Sequence, residues 1–230
     1  IIITPLENWY GEVLITVSAF DGEFFQEQQF QLTVVSVNDS PVANTASAIT
    51  NEDESVSVEL TASDIEGDEL TYSLYSNASN GTVAIEGSIA TYTPNLDFNG
   101  SDSFVYSVSD GDLSDQATVT LTIDAVNDAP ILNTISDVSF NEDETTSISL
   151  SGSDVDEDNL IFSITDGIDI VASLSGTTVN FSAPQDFNGS ESFEVTVTDG
   201  SLSDSQIFVV TVVPVNDAPI LIDIPDVSFD

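Results

Sequence analysis

Carboxylates at Asp-x-Asp or Asp-x-Glu spacing are the residues of this chain best placed to do chemistry. Asp64-Ile65-Glu66-Gly67-Asp68 and Asp154-Val155-Asp156-Glu157-Asp158 set alternate acidic side chains in a turn, where their oxygens can converge on one ion. Asp110 and Asp199 lie in Ser-Asp-Gly and Thr-Asp-Gly, a second acidic turn further along. Asn38-Asp39, Asn127-Asp128 and Asn216-Asp217 each run into a proline two residues later, which limits the swing of whatever follows. An oxygen-only donor set selects hard divalent cations, and the chain has no Cys or His to hold a softer metal. The same absences remove Ser-His and Cys-His pairs. A glycosidase built on paired carboxylates would need a site that breaks the repeat pattern, yet nearly every acidic cluster has a counterpart 89 or 90 residues away. The chain therefore reads as non-catalytic.

That spacing organises the whole molecule. Phe98-Asn99-Gly100-Ser101-Asp102-Ser103-Phe104 recurs as Phe187-Asn188-Gly189-Ser190-Glu191-Ser192-Phe193, 89 residues on, and the three Asn-Asp junctions keep the same interval. Such a period is too long for a solenoid unit of roughly 20–50 residues and suits a whole small domain. The units fall at 39–127 and 128–216. Residues 1–38 form the C-terminal half of a preceding unit, and 217–230 the first strand of a further one, as in a window on a longer protein. One residue is inserted before Asn141 and the interval returns to 89 by Phe187, with both changes expected in loops.

Within a unit the apolar residues alternate. Val56, Val58 and Leu60 lead, then Leu70, Tyr72 and Leu74, then Val83 and Ile85, then Ala90 and Tyr92. Phe104, Tyr106 and Val108 follow, and Ala117, Val119, Leu121 and Ile123 close the series. Period two with polar partners marks strands buried on one face. With an initial strand around 42–49 this makes seven strands, and Gly, Asn, Asp and Pro between them favour an antiparallel sandwich. The expected fold is all-β: tandem seven-stranded antiparallel β-sandwiches joined end to end.

The composition agrees. The chain carries 41 Asp and Glu, no Lys, Arg or His, and a formal charge of −41, yet 40% of its residues are hydrophobic, enough to bury one core per unit. Nothing can neutralise a phosphate, which excludes nucleic acid and anionic membrane as electrostatic partners. No run of 18 apolar residues exists, so no helical membrane insertion is expected.

The unit resembles the cadherin repeat, and more closely the cadherin-like repeats of giant secreted bacterial adhesins. The resemblance covers the whole chain and rests on the acidic turns, the Asn-Asp junctions and the Asp-Gly turns recurring in order. It implies calcium between successive units. Glu52 or Glu54 and Asp97 would face the joint after their repeat. Asn127 and Asp128 would form the linker there, with Asp154, Asp156 and Asp199 on the following repeat. The preceding joint would use Asn38, Asp39, Asp64, Glu66 and Asp110, and Asn216 and Asp217 would be the next linker. Two departures point to fewer ions per joint. Ser36, Ala125 and Pro214 stand where cadherin linkers carry a further Asp, and the Leu-Asp-Arg-Glu motif is absent, with Asp97 and Asp186 as approximate substitutes.

The function expected is a calcium-braced extender or adhesive stalk of a long surface protein, located outside the cell, whose partners are calcium ions and neighbouring repeats. The alternative is a repeat that itself binds identical chains or surface glycans. That reading predicts an exposed aromatic or apolar patch differing between copies, and Trp9, aligned with Phe98 and Phe187, reads as core instead.

Overall fold

The computed structural model describes residues 2–219 together with 221 and 223, so most of the further repeat read over 217–230 lies outside the described residues. The chain divides into two compact units, Ile1–Val126 and Asn127–Asp230. The first opens on a hairpin of β1 (Gly11–Phe20) and β2 (Phe25–Val34). A complete repeat follows: β3 (Val42–Ala43), β4 (Ala46–Asn51), β5 (Val56–Glu59), β6 (Ala62–Ser63), β7 (Thr71–Ser76), β8 (Gly81–Glu86), β9 (Ile89–Pro94), β10 (Gly100–Ser109) and β11 (Ser114–Asp124). The second unit repeats the order with β12 (Ile131–Leu132), β13 (Val138–Asn141), β14 (Thr145–Ser149), β15 (Gly152–Ser153), β16 (Ile161–Ile164), β17 (Val171–Ser175), β18 (Thr178–Ser182), β19 (Gly189–Thr198) and β20 (Ser203–Val213).

Each complete repeat is a β-sandwich. A four-stranded sheet β4-β11-β10-β7 goes with a three-stranded sheet β5-β9-β8 and a short β3-β6 pair. The second repeat has β13-β20-β19-β16, β14-β18-β17 and β12-β15 in the same places. Alternation places Leu60, Tyr92, Phe104, Tyr106 and Leu121 in one buried cluster and Leu150, Phe181, Phe193, Phe208 and Val210 in another. The β1–β2 hairpin matches β10–β11 in interval, but Val13, Val17 and Phe30 on it stay exposed where Tyr106 and Val119 of the complete repeat are fully buried. Trp9 is 39% exposed, so the core assignment made for it is only half met in this unit.

Three details refine the sequence reading. The pairing is antiparallel except at one edge, where β4 runs parallel to β11 and β13 parallel to β20. The first strand is broken in two because its halves serve different sheets: β3 pairs β6, and after Asn44-Thr45 the chain crosses to β11. The second strand is likewise split into β5 and β6. Finally, the residue lost between the copies does not fall in a loop. Tyr106 faces Leu74 and Val105 faces Ser76, so Tyr75 is the extra residue of a bulge in β7, whereas β16 runs in regular register against β19. A bulge absorbs one residue without moving the strands around it.

Candidate metal centre

The acidic turns are shaped by their first aspartate. Asp64 Oδ1 accepts the N–H groups of Glu66 (2.9 Å), Gly67 (3.0 Å) and Asp68 (3.2 Å). Asp154 Oδ1 likewise accepts the N–H of Asp156 at 2.9 Å. This leaves the second oxygen: Oδ2 of Asp64 and Oδ2 of Asp154 are both buried and take no hydrogen bond. A buried anionic oxygen without a donor is costly unless a cation meets it. The neighbours are suited to share one. One oxygen from each of Asp64, Glu66 and Asp68 lies within 4.8 Å of the others, and so do those of Asp154, Asp156 and Asp158. Asp68 and Asp158, absent from the ligands that the resemblance implies, join these clusters because the turn brings the fifth residue round.

The linker residues fold back on the turns of their own unit. Asn38 Nδ2 donates to Asp110 Oδ2 at 2.8 Å and Asn127 Nδ2 to Asp199 Oδ2 at 2.9 Å. The N–H of Asp39 reaches Glu66 Oε2 (3.2 Å) and that of Asp128 reaches Asp156 Oδ2 (2.8 Å). The other oxygen of Asp110 accepts from Asp112 and Leu113, and that of Asp199 from Ser201 and Leu202. The carboxyl of Asp110 is held below its ordinary pKa by the N–H of Leu113 and the Asn38 amide. The Asn127 amide and the N–H of Leu202 do the same for Asp199. Both stay ionised and available to a cation.

At the opposite end of each repeat stands a buried glutamate. Glu52 is 3% exposed and Glu142 6%. Glu52 Oε1 accepts the N–H of Val126 at 2.6 Å and its Oε2 the Asn99 amide at 3.3 Å, while Glu142 Oε1 accepts the N–H of Val215 at 2.6 Å. Of the pair Glu52 or Glu54, the structure distinguishes Glu52. Glu54 is exposed, and its carboxylate accepts the Asn51 amide at a long 3.5 Å. Asp97 has φ 56° and donates its N–H to Asp53 Oδ1, itself at φ 61°; Asp186 and Asp143 repeat the arrangement. In the second unit Asp143, Asp186 and Asp217 bring one oxygen each within 4.8 Å. Coulombic repulsion from Asp186, with burial and the charges of Glu142 and Asp143, pushes the carboxyl of Asp217 upward. The Asn216 amide donates to the backbone carbonyl of Asp217. Glu142, Asp143 and Asp186 were legible in principle as the counterparts of Glu52, Asp53 and Asp97.

Tandem β-sandwich repeats with acidic turns and Asn-Asp junctions are the class of protein this geometry defines. The chain belongs to the bacterial Ig domain family, whose model matches residues 38–122 and again 127–212. No curated protein sequence matches it. Among solved structures it is similar to the extracellular cadherin domains 1–4 of protocadherin gamma B7, at 21% identity and a TM-score of 0.54 over 87% of this chain and 57% of that one. It is also similar to Drosophila N-cadherin EC1-4, at 18% identity and a TM-score of 0.52 over 90% of this chain and 58% of that one. An endo-fucoidan hydrolase of glycoside hydrolase family 107 matches with a TM-score of only 0.36, covering 35% of that protein, too loose a likeness to bear on activity. The chain thus spans about a third to three-fifths of the length of these structures. Bacterial Ig and cadherin-like domains are typically non-catalytic and extracellular. Among the described residues no helix is long and apolar enough to cross a membrane.

Proposed function

We propose that these repeats are non-catalytic, calcium-braced extenders of a long extracellular surface protein, holding or forming part of an adhesive stalk. The observation that supports this most directly is the pair of buried carboxylate oxygens on Asp64 and Asp154, each without a donor and each beside two further carboxylates. Calcium suits this donor set because it takes many oxygen ligands in flexible geometry, and it would supply positive charge that the chain itself lacks entirely. On this reading Asp64, Glu66 and Asp68, with Asp39 and Asp110, hold one ion group. Asp154, Asp156 and Asp158, with Asp128 and Asp199, hold the next. Glu52, Asp97, Glu142, Asp186 and Asp217 serve the opposite ends of their repeats. Asn38, Asn127 and Asn216 keep the linkers in place.

Ligand assignment is tested by substitution. Asp154→Asn should weaken calcium binding at its turn at least tenfold, since it removes the charge behind the buried oxygen and disturbs the N–H bonds that shape the loop. Asp158→Asn should cost less, because Asp158 is exposed and its N–H lies a long 3.5 Å from Asp154 Oδ1. Isothermal titration of each variant decides the matter: equal losses would refute the assignment.

A further inference from the structure

Two carboxylates away from the acidic turns are set against the loops of their repeats, Asp102 buried and Glu191 half-buried. Asp102 on β10 is only 9% exposed. Its Oδ1 accepts the N–H groups of Ser79 (3.1 Å) and Ser103 (2.8 Å), and its Oδ2 accepts the N–H of Asn80 (2.8 Å) and the hydroxyl of Tyr92 (3.1 Å). Glu191 on β19 stands 89 residues later. Its Oε2 accepts the N–H of Ile168 (2.8 Å), and its Oε1 those of Asp169 (2.8 Å) and Ile170 (3.3 Å). Ile168 and Asp169 are themselves 89 residues after Ser79 and Asn80. The same clamp is therefore made twice, between the loop joining the third and fourth main strands and the strand that carries the acid.

The two versions differ in a compensated way. Tyr92 has Phe181 as its counterpart, which brings no hydroxyl, and there the longer Glu takes three N–H groups from the loop, where Asp102 takes two from the loop and one from Ser103. The loop backbone is moulded around each carboxylate. A Cβ on Gly81 would fall 2.4 Å from the Tyr92 ring, and one on Gly167 would fall 2.5 Å from Glu191 Oε2 and 2.1 Å from the Ile170 carbonyl oxygen. Neither acid has a cation to pair with, since the chain contains none.

We infer that Asp102 and Glu191 are acid-sensitive latches: ionised, each clamps the β7–β8 or β16–β17 loop onto its sandwich, and protonated, each lets it go. The physical reason is the mismatch created by a proton. A carboxylate offers acceptors only, whereas the neutral acid turns an O–H toward a set of N–H donors. Burial pushes both carboxyls upward, but the loop N–H groups, with the Tyr92 hydroxyl for Asp102, outweigh it and hold each below its ordinary value. A depressed folded-state pKa means the clamp is in full force above the ordinary carboxylate range and fails as pH falls through the depressed value. Tyr92 on β9 is the titratable neighbour of Asp102, while residues 77–80 and 103 beside it are uncharged. Around Glu191 the loop contributes Asp166 and Asp169, and Glu194 lies further along β19.

Acidification has an opposite effect on the chain at large. Neutralising carboxylates relieves the repulsion of a −41 molecule, which favours the compact state, so release by the latch must appear locally and not as general unfolding. Amide hydrogen exchange on the whole chain in EDTA, which keeps the proposed calcium sites out of the measurement, tests this. Asp102→Asn should lower protection of Ser79 and Asn80 about 10- to 100-fold at neutral pH and leave residues 168–170 unchanged, with Glu191→Gln doing the reverse. In the unaltered chain, the carboxyl shift of Asp102 and the amide shifts of Ser79 and Asn80 should titrate together at a midpoint below the ordinary Asp range, which stands even if a variant fails to fold. Unchanged protection in both variants would overturn the inference. So would loop amides that ignore the titration of Asp102 and open only when the repeat unfolds.

Discussion

Millimolar calcium should raise the melting temperature of this chain by on the order of 10 °C over that in EDTA. Extracellular calcium modules bind at roughly 10⁻⁴–10⁻³ M, so millimolar calcium stands at about one to ten times the dissociation constant and each site stabilises by about 0.4–1.4 kcal/mol. For a domain of 60–100 residues, each kcal/mol shifts the midpoint by roughly 4–8 °C, so about two such sites per repeat suffice. The source of the effect is visible in both units. Asp64 and Asp154 hold a buried oxygen with nothing to neutralise it, and Asp217 is pushed upward by Asp186, Glu142 and Asp143. A cation bound at each of these sites removes the penalty there. Two controls separate binding from screening. Sodium chloride at matched ionic strength should give a smaller shift, because clustered, partly buried charges are poorly screened. Magnesium should also fall short, because it demands octahedral geometry and parts reluctantly with its water. A melting curve indifferent to EDTA would sink the proposal.

How far the sequence carries this picture depends on the kind of signal. Period-two alternation around Phe104, Tyr106 and Val108, or Phe193, Val195 and Val197, gives the strands and the core directly, because a sheet buried on one face must alternate. Alternation says nothing of direction, which is why the parallel edge of β4 on β11 went unread. Nor does it show where a strand changes sheets, so β3 and β4 looked like one. The bulge at Tyr75 leaves only a missing residue in the second copy, and loops are where such a change is usually expected. For the site, Asp-x-Asp spacing exposes Asp64, Glu66, Asp154 and Asp156 because their role is local. Asp68 and Asp158 need the turn to be seen. Asp102 and Glu191 were the least legible. Each occupies an inward position where the pattern expects an apolar residue, as Val13 does in the hairpin, and only the loop N–H groups reveal why an acid belongs there.

Phe193→Ala should melt its own repeat while leaving the other standing. Phe193 is fully buried, with its ring centroid 5.4 Å from that of Phe181 in an edge-on arrangement and 6.3 Å from that of Phe208. Cutting such a side chain to a methyl group removes its burial and its ring contacts and leaves a cavity, at a cost of about 3–5 kcal/mol. A domain of this size starts with only about 5–15 kcal/mol, and here carboxylate repulsion draws it toward the lower end. The buried clusters of the two complete repeats share no residue, so the loss has no route through a common core. Scanning calorimetry of the variant should then show one transition lowered by roughly 10–30 °C and another unmoved, most clearly in EDTA. Phe104→Ala should exchange the two roles, since Phe104 fills the matching place among Tyr92, Tyr106 and Leu121. A uniform shift of the whole transition by either substitution would mean that the repeats fold as one cooperative body. Bracing by calcium would then be acting on a structure already joined by other means, and its contribution would have to be sought inside the repeats instead of at their ends.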